Sequence, residues 1–215
     1  MDGVKRNPGS AHALLRAYAR HTAGMAGMKT IRQDMAGESS DMSDPTIRSI
    51  KALTNIFVLE ELPAWNPQFR SSIPIRSSPV RNMVDPSPAM AALRAGPGDL
   101  LKDMKTFSFL FESLAIRDLR VCAQGLEGDA CHYRDANGLE ADAVVYLHDG
   151  RWGAPEVKME AAFHDQAAEN LLKLSERIDQ SSMNPPFFFM ILTADAIAYR
   201  REDGVLVVPL GCLVP

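Results

Sequence analysis

The stretch that decides the fold runs Asn137-Gly-Leu-Glu-Ala-Asp142-Ala-Val-Val-Tyr-Leu147-His-Asp149-Gly150-Arg-Trp-Gly-Ala-Pro-Glu156-Val157-Lys158. Asn137-Gly138 is a hairpin signal, because both residues tolerate the positive φ of a tight primed turn. Cys131-His-Tyr-Arg134-Asp135 supplies the arm before it, and Leu139 to Leu147 the arm after it. Asp149-Gly150 marks a second turn, so Arg151 to Lys158 becomes the adjoining strand. Side chains alternate between the faces of a strand, which puts Glu156 and Lys158 on one face and Val157 on the other. With Asp142 on the neighbouring strand, two acids and an amine are expected to meet on one side of a sheet.

Working outward, Lys105 to Arg120 carries Phe107, Leu110, Phe111, Leu114 and Ile116 over a wide apolar surface, the pattern of a largely buried helix with Glu112 at its edge. Asp165 to Ile178 is amphipathic through Leu171, Leu172, Leu174 and Ile178, as expected of a helix covering a sheet. After Pro185-Pro186, the run Phe187 to Leu192 is continuously apolar, which suits a strand buried on both faces. Ala196 to Arg201, the turn Asp203-Gly204 and Val205 to Val208 form a last hairpin. Strands mixed with helices on both sides give an α/β layer architecture.

The N-terminal part reads differently. Ala11 to Arg20 repeats Leu14, Leu15 and Tyr18 at helical spacing, and Thr30 to Met35 is a second short helical pattern. Ser43 or Asp44 followed by Pro45 opens a third helix, with Ile47, Ile50, Leu53 and Thr54 on one side and Arg48 and Lys51 on the other. Phe57 to Leu62 reads as a strand, and Ile73, Ile75, Val80 and Met83 as the return of a hairpin. Three short helices followed by a hairpin is the order of a winged helix-turn-helix, whose third helix enters the major groove. Arg32, Arg48, Lys51 and Arg76 are the candidate DNA contacts, with Arg70 and Arg81 beside them. The alternative is that this module packs against a neighbour without touching nucleic acid.

The 215 residues are 46% apolar and 23% charged, and no run approaches the roughly 18 apolar residues of a membrane helix. A cytoplasmic location without a membrane partner is expected. Three cysteines, Cys122, Cys131 and Cys212, form no C-x-x-C pair, so neither a disulfide framework nor a zinc knuckle is suggested. Up to Asp85 there are 11 Lys and Arg against 8 Asp and Glu, a balance of +3; beyond it 12 face 19, a balance of -7. The basic part is the one expected to meet phosphate. Gly24 to Thr30 is not a phosphate loop, because Met28 stands where Gly must precede the lysine, so no nucleotide site is expected in this chain.

Asp142, thirteen intervening residues and then Glu156-Val157-Lys158, behind a helix bearing Glu112, resembles the core of the restriction-endonuclease-like nucleases with their PD-(D/E)XK pattern. More narrowly, the chain resembles the C-terminal region of unknown function found in a large class of bacterial and archaeal AAA+ ATPases, where a winged helix precedes a nuclease-like fold. That resemblance rests on Leu14 to Arg20, Asp44 to Leu53, Phe57 to Pro63, Phe111-Glu112, Tyr133-Arg134-Asp135, Gly138 to Asp142 and Glu156 to Lys158. The sequence reads Glu-Ala-Asp142 where the nuclease motif has Pro-Asp.

The resemblance implies a winged-helix domain over residues 1–88 and a nuclease-like domain over 89–215. It implies Mg²⁺, or Mn²⁺ in its place, held by Asp142 and Glu156 with Glu112 completing or orienting the site, and Lys158 serving the attacking water, the four together forming the catalytic group. Glu140 is an understudy ligand on the face of Asp142. DNA and an AAA+ ATPase domain, upstream or in trans, are the implied partners. Two other readings stay open: a non-catalytic docking module that keeps the nuclease-like fold, and a winged-helix transcription regulator. In the bland version of the site, Lys158 is an edge-strand charge and Glu156 its solvated neighbour.

Overall fold

The computed structural model describes residues 8–36, 44–67, 78–178 and 183–213. The chain divides into two compact units, Met1–Glu61 with Val80–Leu114, and Leu62–Pro79 with Ala115–Pro215.

In the first unit, helix α1 (Pro8–Arg20) precedes α2 (Met28–Ala36) and α3 (Asp44–Asn55). Strands β1 (Leu59–Leu62) and β2 (Val80–Met83) then pair as a two-stranded sheet. The spacing of Leu14, Ala17 and Tyr18 places all three on one face of α1, where they are buried with Ile31 and Met35 of α2, Leu59 of β1 and Met83 of β2. Ser113 Oγ donates to the Met83 carbonyl at 3.0 Å and Thr22 Oγ1 accepts the Met83 N–H at 3.3 Å, so the polar backbone of β2 is satisfied inside this core.

Helix α4 (Pro86–Leu93) follows directly, capped by Asp85, whose carboxylate accepts the Ser87 N–H at 2.7 Å, with Pro86 preset for the first turn. It continues through residues 88 and 89, and its Ala89 joins the same core. The short α5 (Pro97–Leu100) leads into the long α6 (Met104–Gly125), which contributes Leu110 to this core before the chain passes into the second unit. Residues 68–77, with Arg70, Ile73, Ile75 and Arg76, lie outside the described residues.

The second unit is a mixed α/β layer built on a six-stranded sheet. Its strands are β3 (Gly128–Arg134), β4 (Glu140–Leu147), β5 (Trp152–Val157), β6 (Phe188–Thr193), β7 (Tyr199–Arg200) and β8 (Leu206–Pro209), in the spatial order β3-β4-β5-β6-β8-β7. The first three run antiparallel through the two turns that the sequence marks. At the first, Gly138 has φ 88° and the buried Asp135 carboxylate accepts the N–H groups of Asn137 at 2.8 Å and Leu139 at 2.9 Å. Strand β6 runs parallel to β5, a pairing that requires a crossover, and α7 (His164–Arg177) supplies it. Strand β8 is parallel to β6 and antiparallel to β7.

The apolar stripe of α7, Ala167, Ala168, Leu171 and Leu174, packs with Val144, Trp152, Ala154, Ile191 and Val207 of the sheet. The outer edge of β3 is covered by its own unit: His132 donates to the Pro63 carbonyl at 2.9 Å and Trp65 donates back to the His132 carbonyl at 2.7 Å. The Trp65 indole then lies 5.0 Å, centroid to centroid, from that of Trp152.

Candidate functional site

The site begins where β4 and β5 stop pairing through their backbones. Their register is Tyr146↔Trp152 and Val145↔Gly153, and continuing it by three residues sets Asp142 opposite Glu156 on one face. Before that level stands Pro155, which has no N–H to offer the ladder. Beyond it, side chains replace the missing rungs. The Asp142 Oδ2 atom accepts the Val157 N–H at 2.8 Å, and Glu156 Oε2 accepts the Asp142 N–H at 3.3 Å. On the far side β5 stays anchored, with the Lys158 N–H donating to the Leu192 carbonyl at 2.9 Å. The expected alternation therefore holds, and Lys158 returns to the face of Glu156.

The Lys158 ammonium donates to Glu156 Oε1 at 2.8 Å and reaches Asp142 Oδ2 at 3.4 Å, so it lies between the two carboxylates. Exposure grades across the cluster. The Glu156 side chain is 3% exposed, that of Asp142 16% and that of Lys158 29%. Burial, reinforced by the Asp142 charge and opposed by Lys158, raises the Glu156 carboxyl to about 8, well above the ordinary glutamate value. The arrangement gathers two carboxylates and one ammonium at a strand fork, with the most buried member held near its neutral form and the amine leading outward.

Of the four residues the nuclease resemblance assigns to the site, the structure brings together Asp142, Glu156 and Lys158. Glu112 is half-buried on α6, in the part of that helix belonging to the first unit. Glu140 pairs with Arg134 at 3.3 Å across β3 and β4. Arg32 is half-buried on α2, and Lys51 is exposed on α3. Arg48 belongs to α3, its side chain outside the described residues, as is the whole of Arg76. Two participants escape a reading by side-chain type: Pro155, which ends the ladder, and the Val157 N–H, which holds Asp142. A proline one residue ahead of Glu-x-Lys is visible in the sequence and is the signal that marks both.

Among the described residues, no group of three or more His, Cys, Asp or Glu is gathered to hold a metal ion. The donor chemistry of the pair nonetheless fits one kind of ion. Asp142 and Glu156 offer hard carboxylate oxygens, and Mg²⁺ is commonly bound through one or two carboxylates while keeping waters or substrate oxygens for the rest of its octahedron. Two concavities lie elsewhere in the same unit, one of about 120 Å³ lined by Arg120, Asp129, Cys131 and Tyr146, the other of about 570 Å³ between Gly138 and the Lys173–Arg177 end of α7. The trio lines neither.

The family described as a domain of unknown function, DUF4143, matches residues 107–213, a span that contains Glu112, Asp142, Glu156 and Lys158. No curated protein and no solved structure matches the chain. No helix among the described residues is long and apolar enough to cross a membrane.

Proposed function

We propose that the second unit is a nuclease-like domain whose Asp142 and Glu156 hold a divalent cation for phosphodiester hydrolysis, and that the chain is the DNA-interacting region of an AAA+ ATPase system. The observation that carries this reading is the convergence of Asp142, Glu156 and Lys158 at the end of paired strands β4 and β5, where the Lys158 ammonium lies within 3.4 Å of both carboxylates and Glu156 accepts the Asp142 N–H at 3.3 Å. The order of a helix, three antiparallel strands, a crossover helix and a parallel strand also agrees with the resemblance found in the sequence.

In this reading Asp142 and Glu156 are the ligands, and Mg²⁺ bound there would lower the pKa of a water and stabilise charge on the phosphoryl group. Lys158 orients the attacking water and faces the phosphate. In the first unit, three helices and a two-stranded sheet in the order α1, α2, α3, β1, β2 support a winged helix. There Arg32, Arg48 and Lys51 take up the DNA backbone or base edges.

Cleavage of end-labelled single- and double-stranded DNA with Mg²⁺ or Mn²⁺ tests the proposal. Activity that disappears in both Asp142→Ala and Glu156→Ala is expected; equal activity in those variants overturns it.

A second reading has its own observation. Both carboxylates already serve as rungs and share an ammonium, so the cluster is also a self-sufficient structural clasp. The domain would then be a docking module for the ATPase, for another copy or for a nucleic-acid end. Absence of divalent-cation binding to the folded chain selects this alternative.

A further inference from the structure

We propose that Lys158 guards the carboxylate pair: its ammonium holds the seat a divalent cation needs, and the cation enters only by displacing it. This rests on the reading of Asp142 and Glu156 as cation ligands and adds how that seat is controlled.

The geometry gives three reasons. The ammonium lies 2.8 Å from Glu156 Oε1 and 3.4 Å from Asp142 Oδ2, so it occupies the position from which one ion would reach both residues. A divalent cation placed on those oxygens would stand within a few ångströms of a like charge in partly buried surroundings, where repulsion is strong. The remaining Glu156 oxygen is already turned to the Asp142 N–H, which leaves the ammonium-facing oxygen as the one to share.

The exit is also built in. The Lys158 backbone is tied to Leu192 at 2.9 Å, so the strand need not move. Its side chain is 29% exposed, and its four-carbon stem lets the charge swing to solvent or toward an anionic ligand. Until it does, it lies against a glutamate side chain that is 3% exposed and would be costly to leave charged and unpaired. The resting state is therefore stable and closed to cations, and the apparent cation affinity is the intrinsic one reduced by the fraction of molecules in which Lys158 has left.

Calorimetric titration of Mn²⁺ into the full chain, as wild type, Lys158→Met and Lys158→Arg, tests this, with circular dichroism reporting the fold. Lys158→Met keeps the stem without the charge and should bind Mn²⁺ about tenfold more tightly or better, while Lys158→Arg should show no gain. Equal or weaker binding by folded Lys158→Met overturns the guarding role. If that variant does not fold, the wild-type chain decides through the NMR signal of the Lys158 ε-methylene. A shift on Mg²⁺ saturation supports displacement, and an unmoved signal despite binding overturns it. Binding that is lost in Glu156→Ala but indifferent to Lys158→Met removes the guard and leaves the cation site standing; no binding by any variant removes both.

Discussion

Asp142 and Val157 are joined by a side-chain rung: the Asp142 carboxylate accepts the Val157 N–H at 2.8 Å, beyond the point where Pro155 withholds a backbone donor from the same strand pair. The same carboxylate faces the Lys158 ammonium. One residue therefore closes the fork and presents charge to it, and these two roles separate by substitution.

Asp142→Ala leaves the buried Val157 N–H without an acceptor and should cost about 1–3 kcal/mol of stability. Asp142→Asn keeps an amide oxygen for that N–H and should cost clearly less. Both should lose divalent-cation binding. Thermal melts paired with calorimetry check the separation; equal destabilisation by Asn and Ala would show that charge, not the rung, holds the fork.

Glu156 ties stability to pH with a definite sign. Its carboxyl titrates near 8 in the folded chain, above its ordinary value of 4.5. The stabilisation from keeping it protonated is fully present below about 4.5 and is lost as pH rises through about 8, at a slope of at most about 1.4 kcal/mol per pH unit. Glu156→Gln, permanently neutral, should flatten this segment of the metal-free stability curve. Denaturant unfolding between pH 5 and 8.5 in both proteins is the measurement, and parallel curves would contradict the burial argument.

Much of this site is legible in the sequence because its signals are local. Asn137-Gly138 and Asp149-Gly150 set the turns, and alternation along Trp152 to Lys158 sets the face that Glu156 and Lys158 share. The fork itself is not local. It depends on Pro155 standing opposite β4 and on a backbone N–H choosing a carboxylate over a carbonyl, and neither follows from side-chain periodicity. Helix α4 was hidden for a different reason: Asp85-Pro86-Ser-Pro88 reads as a break, yet the same residues are an N-cap and a preset first turn. The placement of Trp65 on β3 is a long-range pairing to which the motif around Pro63 gives no clue.

That pairing carries a stability prediction. The Trp65 ring is buried against Trp152 and Tyr133, so Trp65→Ala should destabilise the second unit by about 3–5 kcal/mol. It should also raise hydrogen exchange at the N–H groups of Trp65's segment and of His132. Unchanged exchange at His132 would mean that the edge of β3 is held without the indole.

Gly128 tests the tightness of the β3–β4 start. A Cβ there would meet the Tyr146 carbonyl oxygen and the Leu147 side chain, both at 2.5 Å, and the carbonyl cannot rotate away. Gly128→Ala should cost about 1–3 kcal/mol by overpacking. A melting temperature equal to wild type would place the two strands farther apart than described.

The central claim, that Asp142 and Glu156 form a cation seat, is tested most directly by anomalous diffraction from crystals of the full chain soaked in Mn²⁺. The expected result is a peak within coordination distance of both carboxylates, with the Lys158 ammonium swung out of its place between them. A fork with no peak, and Lys158 still bridging Asp142 and Glu156 at saturating Mn²⁺, would contradict it.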